Sequence, residues 1–302
     1  MRGPEFGWDT VGCFNPGAIK VGDEYIMIVN ATQLVRPYLF WIARSENGID
    51  FTPDPEPLLL EPMELWPEEC DVYDTRITPL ENTYYVTHSS DSAIGVRVAL
   101  TKTDDFKTFE RVGIISELGN RNAALFPEKI NGLYCRLDRP SGNPDGSNEN
   151  NGMWISFSPD LIHWGQARPV MDIRQGFWDN IKIGAGAVPI KVKEGWLEIY
   201  HGVTASCNGY IYSLGACILD EKEPWKVLAR TVKPILSPFE DYEVVGRVSN
   251  VVFTANAIVE DDGLVRIYYG CADNFIGLAT APIQEVIDAC YAENPYPFTH
   301  TQ

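Results

Sequence analysis

The stretch FNPGAIKVGDEYIMIVNATQLVRPYLFWIARSENGIDF, residues 14–51, contains two consecutive hairpin patterns and decides the fold. In the first hairpin, a turn at Gly22-Asp23 leads into the apolar run 25–29, and the second runs from Trp41 to Phe51. Short runs rich in β-branched and aromatic residues, separated by Gly, Asn and Asp, are typical of antiparallel strands. Two such hairpins in succession predict a four-stranded antiparallel sheet.

The same unit recurs along the chain, which indicates a repeat architecture. Later copies show a turn followed by an aromatic-rich strand, with turns at 81–82, 131–132, 194–195 and 261–263. A ring of about five such sheets hides most strand edges, so the repeat predicts an all-β, five-bladed β-propeller. After Pro282, apolar residues at helical spacing predict a short C-terminal helix.

No composition break divides the repeats, so we expect residues 1–302 to form a single propeller domain. The stretch Ser141–Gly152 is rich in Asn, Gly, Asp and Ser and predicts a mobile loop.

Charge and targeting signals exclude several classes of function. The chain has 24 basic and 42 acidic residues, a formal net charge of -18, which opposes binding to nucleic acid or anionic membranes. No apolar run is long enough to span a bilayer, and Met1–Val11 lacks the pattern of a secretory signal. The seven cysteines form no CxxC pair, which favours reduced thiols in a cytoplasmic protein.

Polar residues at the expected strand starts are candidates for a shared pocket, because these starts lie near the channel of a propeller. They are Asn15, Asp74, Arg121, Arg139, Lys182, His201, Asn250 and Asp273. Asp74 is the carboxylate among them that opens a strand, but a turn aspartate paired with Arg76 explains the same pattern. His201 suits either a hydrogen bond to a sugar hydroxyl or a place in the core.

The basic residues of this set favour an anion site. Lys182 lies among small and apolar residues, where an ammonium is costly to bury unless it meets an anion. A snorkelling lysine or a paired arginine remains an alternative for each position alone, yet three such positions occur in an acidic protein. Phosphate-loop motifs are absent, and the histidines lack metal spacing, so neither nucleotide nor metal binding is predicted.

Several segments in one order resemble glycoside hydrolase family 130, whose known members are mannoside phosphorylases and related mannosidases. They are 72–78 (VYDTRIT), 120–132, 139–141 (RPS), 158–164 (SPDLIHW), 182–186 (KIGAG), 200–203 (YHGV), 207–213 (CNGYIYS), 250–253 (NVVF) and 268–273 (YYGCAD). The resemblance covers nearly the whole chain, from Phe14 to about Thr280, and implies a five-bladed propeller with its site in the channel.

The resemblance also implies a set of site residues. Asp74 matches the proton donor of the family, whose proton is thought to pass through a hydroxyl of the mannosyl ring. The matching phosphate-binding residues are Arg121, Arg139, Lys182 and Tyr212. Those matching the surroundings of the mannosyl unit are Asn15, Tyr73, His201, Tyr210, Phe253 and Asp273. Neither a cofactor nor a metal is implied, because inorganic phosphate is the second substrate.

The implied reaction is inverting phosphorolysis of a β-mannoside, which gives α-mannose 1-phosphate and a shortened sugar. An inverting hydrolase needs a second carboxylate as base, whereas Asn15 stands where related five-bladed glycosidases carry an aspartate. The full basic set favours phosphorolysis over the alternatives, an inverting β-mannosidase that uses water or a propeller that only binds glycans or proteins.

Tyr73 before the acid resembles the branch acting on β-1,4-linked mannosyl-glucose or mannooligosaccharides, since the β-1,2 branch more often carries glutamate there. β-1,4 specificity is therefore predicted, with a β-1,2-mannoside phosphorylase as the alternative.

Two departures from the family pattern affect acceptor choice and assembly. Many relatives carry arginine where this chain has Asn30, and Arg36 lies nearby. The segment before Phe14 is shorter than usual, so an N-terminal arm that makes oligomer contacts is not expected. Whether the chain forms a homo-oligomer is left open by the sequence.

Overall fold

The computed structural model describes residues 1–7, 10–34, 38–61, 63, 69–140 and 151–293. Its five antiparallel sheets form the blades of a five-bladed β-propeller, which confirms the predicted fold. Arg36 and residues 141–150 of the predicted loop lie outside the described residues.

The first three blades each contain four strands, in chain order from the channel outward. Blade 1 contains β1 (Thr10–Val21), β2 (Glu24–Gln33), β3 (Leu39–Ser45) and β4 (Thr52–Pro53). Blade 2 contains β5 (Glu69–Leu80), β6 (Thr83–Ser92), β7 (Arg97–Thr103) and β8 (Glu110–Ile114). Blade 3 contains β9 (Asn120–Leu125), β10 (Tyr134–Pro140), β11 (Met153–Ser158) and β12 (Gly165–Met171).

The last two blades depart from this plan. Blade 4 contains β13 (Lys182–Ala185), β14 (Ile190–Val192), β15 (Gly195–Ser206), β16 (Gly209–Leu219) and β17 (Val227–Arg230). Both β13 and β14 pair with β15, so the inner strand of this blade is interrupted. Blade 5 contains β18 (Val252–Val259), β19 (Leu264–Cys271) and β20 (Phe275–Pro282). The described residues outside the blades include a 3₁₀ turn at Gly3–Phe6, α1 (Asp241–Val244) and α2 (Ile283–Tyr291).

The N-terminal residues extend the outer edge of blade 5, where the repeat predicted a second hairpin. Arg2 forms a β-bridge with Phe275, and the backbones of Met1 and Ile276 exchange hydrogen bonds of 3.1 and 3.2 Å. Pairing satisfies backbone groups that an open edge strand would expose. Residues from the start and the end of the chain therefore share one blade and help to close the ring.

Apolar contacts between blades form the core. Phe126 of blade 3 packs edge-on against Trp196 of blade 4, with ring centroids 5.1 Å apart. The predicted C-terminal helix is confirmed as α2, which packs against blades 4 and 5 through Val286, Ile287 and Cys290. No helix in the described ranges is long and apolar enough to cross a membrane.

Bulges at the channel end of the inner strands position the polar side chains. Asn15, Asp74 and Asn122 have left-handed backbones, with φ of 42°, 59° and 58°. The pairing register shifts at these points in blades 1, 2 and 3. Asn and Asp adopt this conformation more readily than other non-glycine residues, and β-bulges commonly redirect side chains beside active sites. The sequence thus places polar residues where the backbone bends.

Candidate active site

A cavity of about 360 Å³ lies at the channel end where the bulges occur. Its lining residues are Phe14, Asn15, Tyr38, Asp71, Tyr73, Asp74, Asp91, Arg121, Asn122, Arg139, Lys182, His201, Tyr212, Val248, Val251, Phe253 and Asp273. The structure therefore brings together every predicted site residue except Tyr210 and Asn250. Tyr210 is 51% exposed, and its ring lies 5.1 Å from Lys182 Nζ, outside the lining of the cavity.

Three of the polar residues reach the cavity from a different strand than predicted. Arg139, His201 and Asp273 lie on or just after the second strand of their blades. Because the second strand runs antiparallel to the first, its end lies beside the start of the first strand. Asn250, also expected here, does not line the cavity; its carbonyl accepts the backbone N–H of Tyr212 at 3.0 Å.

Asp74 is buried and oriented by a single amide. Asn15 Nδ2 donates to Asp74 Oδ1 at 2.7 Å, whereas Arg76 donates to the backbone carbonyl of Asp74 at 3.1 Å. The pairing of Arg76 with the Asp74 carboxylate, left open by the sequence, is therefore not what the structure shows.

Burial raises the pKa of Asp74, although nearby positive charge and the Asn15 hydrogen bond oppose the shift. With Oδ1 accepting from Asn15, a proton on the acid belongs on Oδ2. Asp74 thus has the environment of a proton donor.

Arg121 and Arg139 face each other directly across β9 and β10. Their Nε atoms are buried without a hydrogen-bond partner, and neither side chain forms a salt bridge with a described residue. Burial, followed by the charge of Arg121, lowers the pKa of Arg139 to about 10. Like charges directly opposite each other are destabilising, so the pair has the character of a site for an anion.

A lysine, a tyrosine, a histidine and a phenylalanine continue this wall of the cavity. Lys182 Nζ lies 5.1 Å from the ring centre of Tyr212, which stacks at 6.4 Å on His201. Burial and the neighbouring cations lower the pKa of His201 well below its usual value, so its imidazole is neutral. A neutral imidazole offers one donor and one acceptor, which suits a sugar hydroxyl. The ring of Phe253 packs 4.7 Å from His201.

Glycines allow this close packing at two points. A Cβ on Gly184 would lie 2.7 Å from His201 Cε1 and 2.9 Å from Arg139 Cδ. A Cβ on Gly270 would overlap the Asn15 side chain, which orients Asp74. Any larger residue at either glycine displaces a group of the site.

The cavity lining also contains carboxyl groups, some of which were not predicted from the sequence. Burial and the charge of Asp74 raise the pKa of Asp273 to about 6. Asp71 and Asp91, not predicted, are cross-strand partners in blade 2, and the backbone N–H of Tyr38 donates to Asp71 at 2.7 Å. Two acidic residues facing each other across a hairpin are unfavourable without a partner. This pairing of Asp71 with Asp91 is the signal from which the two residues could have been predicted. Tyr38 gave no such signal.

A larger groove of about 1120 Å³ beside β8 is the main competing cavity. Its buried charges are already paired, Arg136 with Asp138 at 2.7 Å and Arg111 with Glu69 at 2.8 Å. The channel cavity instead combines two arginines that form no salt bridge with a described residue and a carboxyl group of raised pKa, so it is the better candidate for chemistry.

Comparison with known proteins identifies the family of this chain. The family model described as β-1,4-mannooligosaccharide phosphorylase matches residues 9–292. The chain belongs to glycoside hydrolase family 130. The resemblance stated from the sequence is thereby confirmed, and this family-130 chain is a glycoside phosphorylase, an enzyme that cleaves with inorganic phosphate.

Individual relatives show how closely the family-130 chain matches. It is 41% identical to β-1,4-mannooligosaccharide phosphorylase of Ruminococcus albus over 81% of this chain and 73% of that protein. It is 42% identical to β-1,2-mannobiose phosphorylase of Listeria innocua over 82% of this chain and 67% of that protein. A solved structure of β-1,2-mannobiose phosphorylase from Listeria innocua, in complex with β-1,2-mannobiose, superposes with a TM-score of 0.85. It is 32% identical and covers 94% of this chain and 93% of that one.

Proposed function

We propose that this family-130 enzyme catalyses inverting phosphorolysis of β-1,4-linked mannosides, either mannosyl-glucose or mannooligosaccharides. The products are α-mannose 1-phosphate and a shortened sugar. One observation carries the proposal: Arg121 and the buried Arg139, which form no salt bridge with a described residue, line the same cavity as the buried acid Asp74.

In the proposed reaction, a phosphate oxygen attacks the anomeric carbon of the mannosyl unit from the face opposite the leaving oxygen. The glycosidic C–O bond breaks as the new C–O bond forms, and the configuration inverts. Asp74 supplies the proton taken up by the leaving oxygen, directly or through a sugar hydroxyl. Arg121 and Arg139 hold the phosphate through charge-assisted hydrogen bonds, helped by Lys182 and Tyr212.

Phosphate is favoured over water because the site lacks an aspartate where a base is expected. Asn15 fills that position and donates to Asp74, and an amide cannot act as a general base. Phosphate is already a nucleophile and needs to be held in place, which the arginine pair can do. The proposal involves no cofactor.

The remaining predicted residues form the mannosyl-binding surface in this proposal. His201, Phe253 and Asp273 line the cavity with Asn15 and Tyr73. Tyr210, at the rim, contributes through its contact with Lys182. The cysteines of the described residues are all free thiols, which supports action in a reducing compartment such as the cytoplasm.

The proposed linkage depends on Tyr73. Its ring lines the cavity beside the acid and packs edge-on against Tyr38, with ring centroids 6.0 Å apart. Such an aromatic wall can stack on a sugar face, whereas a glutamate would add charge and hydrogen bonds. The family model and the relative from Ruminococcus albus support β-1,4. The relative from Listeria innocua, equally similar, makes β-1,2-mannosides the second candidate.

Synthesis in the reverse direction tests the linkage. The enzyme is supplied with α-mannose 1-phosphate and, separately, glucose, mannose or N-acetylglucosamine, and the product linkage is determined by NMR. We expect a β-1,4-linked disaccharide with glucose or mannose, because Tyr73 leaves an apolar wall next to the acid. Reactions without acceptor serve as controls. A β-1,2-linked product would contradict the β-1,4 assignment while leaving phosphorolysis in place.

A further inference from the structure

The inner strand of blade 2, which carries Asp74, is tied by hydrogen bonds to all four other blades. Thr75 Oγ1 donates to the carbonyl of Ile28 in blade 1 at 2.9 Å. Thr78 Oγ1 donates to the carbonyl of Leu125 in blade 3 at 3.3 Å. In blade 5, Asn256 Oδ1 accepts the backbone N–H of Ile77 at 3.0 Å, and Asn256 Nδ2 donates to the carbonyl of Ile77 at 3.2 Å. Arg76, which lies between Thr75 and Thr78 on the same strand, makes the contact with blade 4.

Arg76 spans from the acid to the strand that carries Lys182. Its side chain is 1% exposed and does not line the cavity. Nη1 donates to the carbonyl of Asp74 at 3.1 Å, Nη2 to Ala185 at 2.9 Å and Nε to Gly186 at 2.8 Å. Three nitrogens of one guanidinium therefore hold three backbone carbonyls on both sides of the site.

We infer that Arg76 is a positioning residue that fixes the proton donor relative to the phosphate-binding strand. The inference rests on the proposed function of Asp74 as the acid. Arg76 reaches neither sugar nor phosphate, so it acts through the backbone of Asp74 and of residues 185–186, which end and follow β13.

The local conformations at both ends need such support. Asp74 has a φ of 59°, a strained conformation for a residue with a side chain. Arg76 holds the carbonyl of that residue. At the other end, Arg76 holds the carbonyl of Gly186, and Glu198 Oε1 accepts the N–H of the same glycine at 2.9 Å. Gly186 is thus held through both its N–H and its carbonyl. It lies two residues after Gly184, where an added Cβ would meet Arg139 and His201.

The arginine also brings a positive charge close to two buried carboxyl groups, Asp74 and Glu198, which oppose the effect of burial on its pKa. Arg76 forms no salt bridge to the residues that the structure describes. Its charge opposes the effect of burial on the pKa of Asp74 more strongly than any other neighbour. Other titratable or charged groups around the acid and Arg76 are Arg121, Arg139, Lys182, His201, Tyr73, Tyr212, Asp71, Asp91, Asp273 and Glu198. All of these are unchanged in an Arg76 variant.

Two substitutions separate the positioning effect of the Arg76 guanidinium from the effect of its charge. Arg76→Met removes both, and Arg76→Lys keeps the charge but loses the planar fork that reaches three carbonyls. Thr78→Val is the matched control, since it removes one interblade hydrogen bond from the same strand without touching the cavity. For each enzyme, kcat, the KM for phosphate, the melting temperature and the pH profile of kcat/KM are measured well below its own melting temperature.

We expect Arg76→Met to lower kcat about 100-fold, the effect of a displacement of about 1 Å, with the KM for phosphate within about threefold. Loss of the cation raises the pKa of Asp74, so the acid stays protonated to higher pH. The alkaline limb of the pH profile of kcat/KM should therefore move to higher pH by about one pH unit. The ionisation of phosphate is common to all variants and cancels in the comparison. Arg76→Lys should lower kcat about tenfold with the limb in place, and Thr78→Val should change neither.

Wild-type kcat in Arg76→Met, or a lowered kcat without the shift of the limb, would overturn the inference. If Arg76→Met does not fold, Arg76→Lys decides, and wild-type kcat in that variant overturns it as well. Failure of the proposed function looks different, because the wild-type enzyme itself would then show no phosphate-dependent turnover.

Discussion

Replacing Asp74 with asparagine is expected to lower kcat for phosphorolysis at least about a hundredfold, the lower range for loss of a general acid. The variant removes the proton and keeps the shape of the side chain. Asparagine tolerates the left-handed backbone at this position, where φ is 59°. We therefore expect a melting temperature close to that of the wild-type enzyme and nearly unchanged substrate KM. Steady-state kinetics with thermal unfolding measures both.

Asp273→Asn is the matched comparison, because Asp273 is another carboxyl group of this cavity, and burial raises its pKa to about 6. On the present account, Asp273 contacts the sugar and its loss affects KM more than kcat. Activity of Asp74→Asn within a few fold of wild type, together with a collapse of kcat in Asp273→Asn, would move the acid to Asp273.

Arg139→Ala is expected to lower kcat/KM for phosphate about 10- to 100-fold, mainly through a higher KM. The magnitude is that of one or two hydrogen bonds to a charged group. Arg139 faces Arg121 and forms no salt bridge with a described residue, so removing its side chain takes away a repulsion and no ion pair that the structure describes. The variant should therefore be at least as stable as the wild type without phosphate. Initial rates over a range of phosphate concentrations, with the mannoside saturating, measure the effect.

Two controls accompany this variant. Arg168→Ala removes the same charge from an exposed position on β12 and should leave the phosphate dependence unchanged. Arg139→Lys keeps the charge and loses the bidentate geometry, so an intermediate effect is expected. An unchanged KM for phosphate in Arg139→Ala would place the anion site elsewhere.

The propeller was predictable because its turns are visible in the sequence. Turn residues such as Gly22, Glu81 and Gly263 have left-handed backbones in the structure, with φ of 60°, 58° and 82°. Each separates two runs of strand-forming residues. Such hairpin signals are local in the sequence, so they can be recognised in every blade. The closure of blade 5 by Arg2 and Phe275 was not predictable, because a contact between the two ends of the chain leaves no local pattern.

The candidate site was predictable where a polar residue precedes an apolar run of an inner strand, as at Asn15 and Asp74, and where the family motif names the residue. The structure places both residues at bulges within their strands, not at the strand starts. Its remaining parts depend on tertiary contacts. Asp91 enters the cavity as the cross-strand partner of Asp71. Arg76 was considered only as a partner of the Asp74 carboxylate, whereas its guanidinium reaches across the channel to blade 4. Residues distant in sequence meet there only after the ring closes.

The dependence of turnover on phosphate tests the central claim most directly. A β-1,4-mannobiose or mannosyl-glucose substrate is incubated with the enzyme in phosphate buffer and in a phosphate-free buffer of the same pH and ionic strength, and products are followed by ¹H and ³¹P NMR. The account predicts α-mannose 1-phosphate as the first product with phosphate, and intact substrate without it. Equal turnover in both buffers, with free mannose as the product, would contradict it.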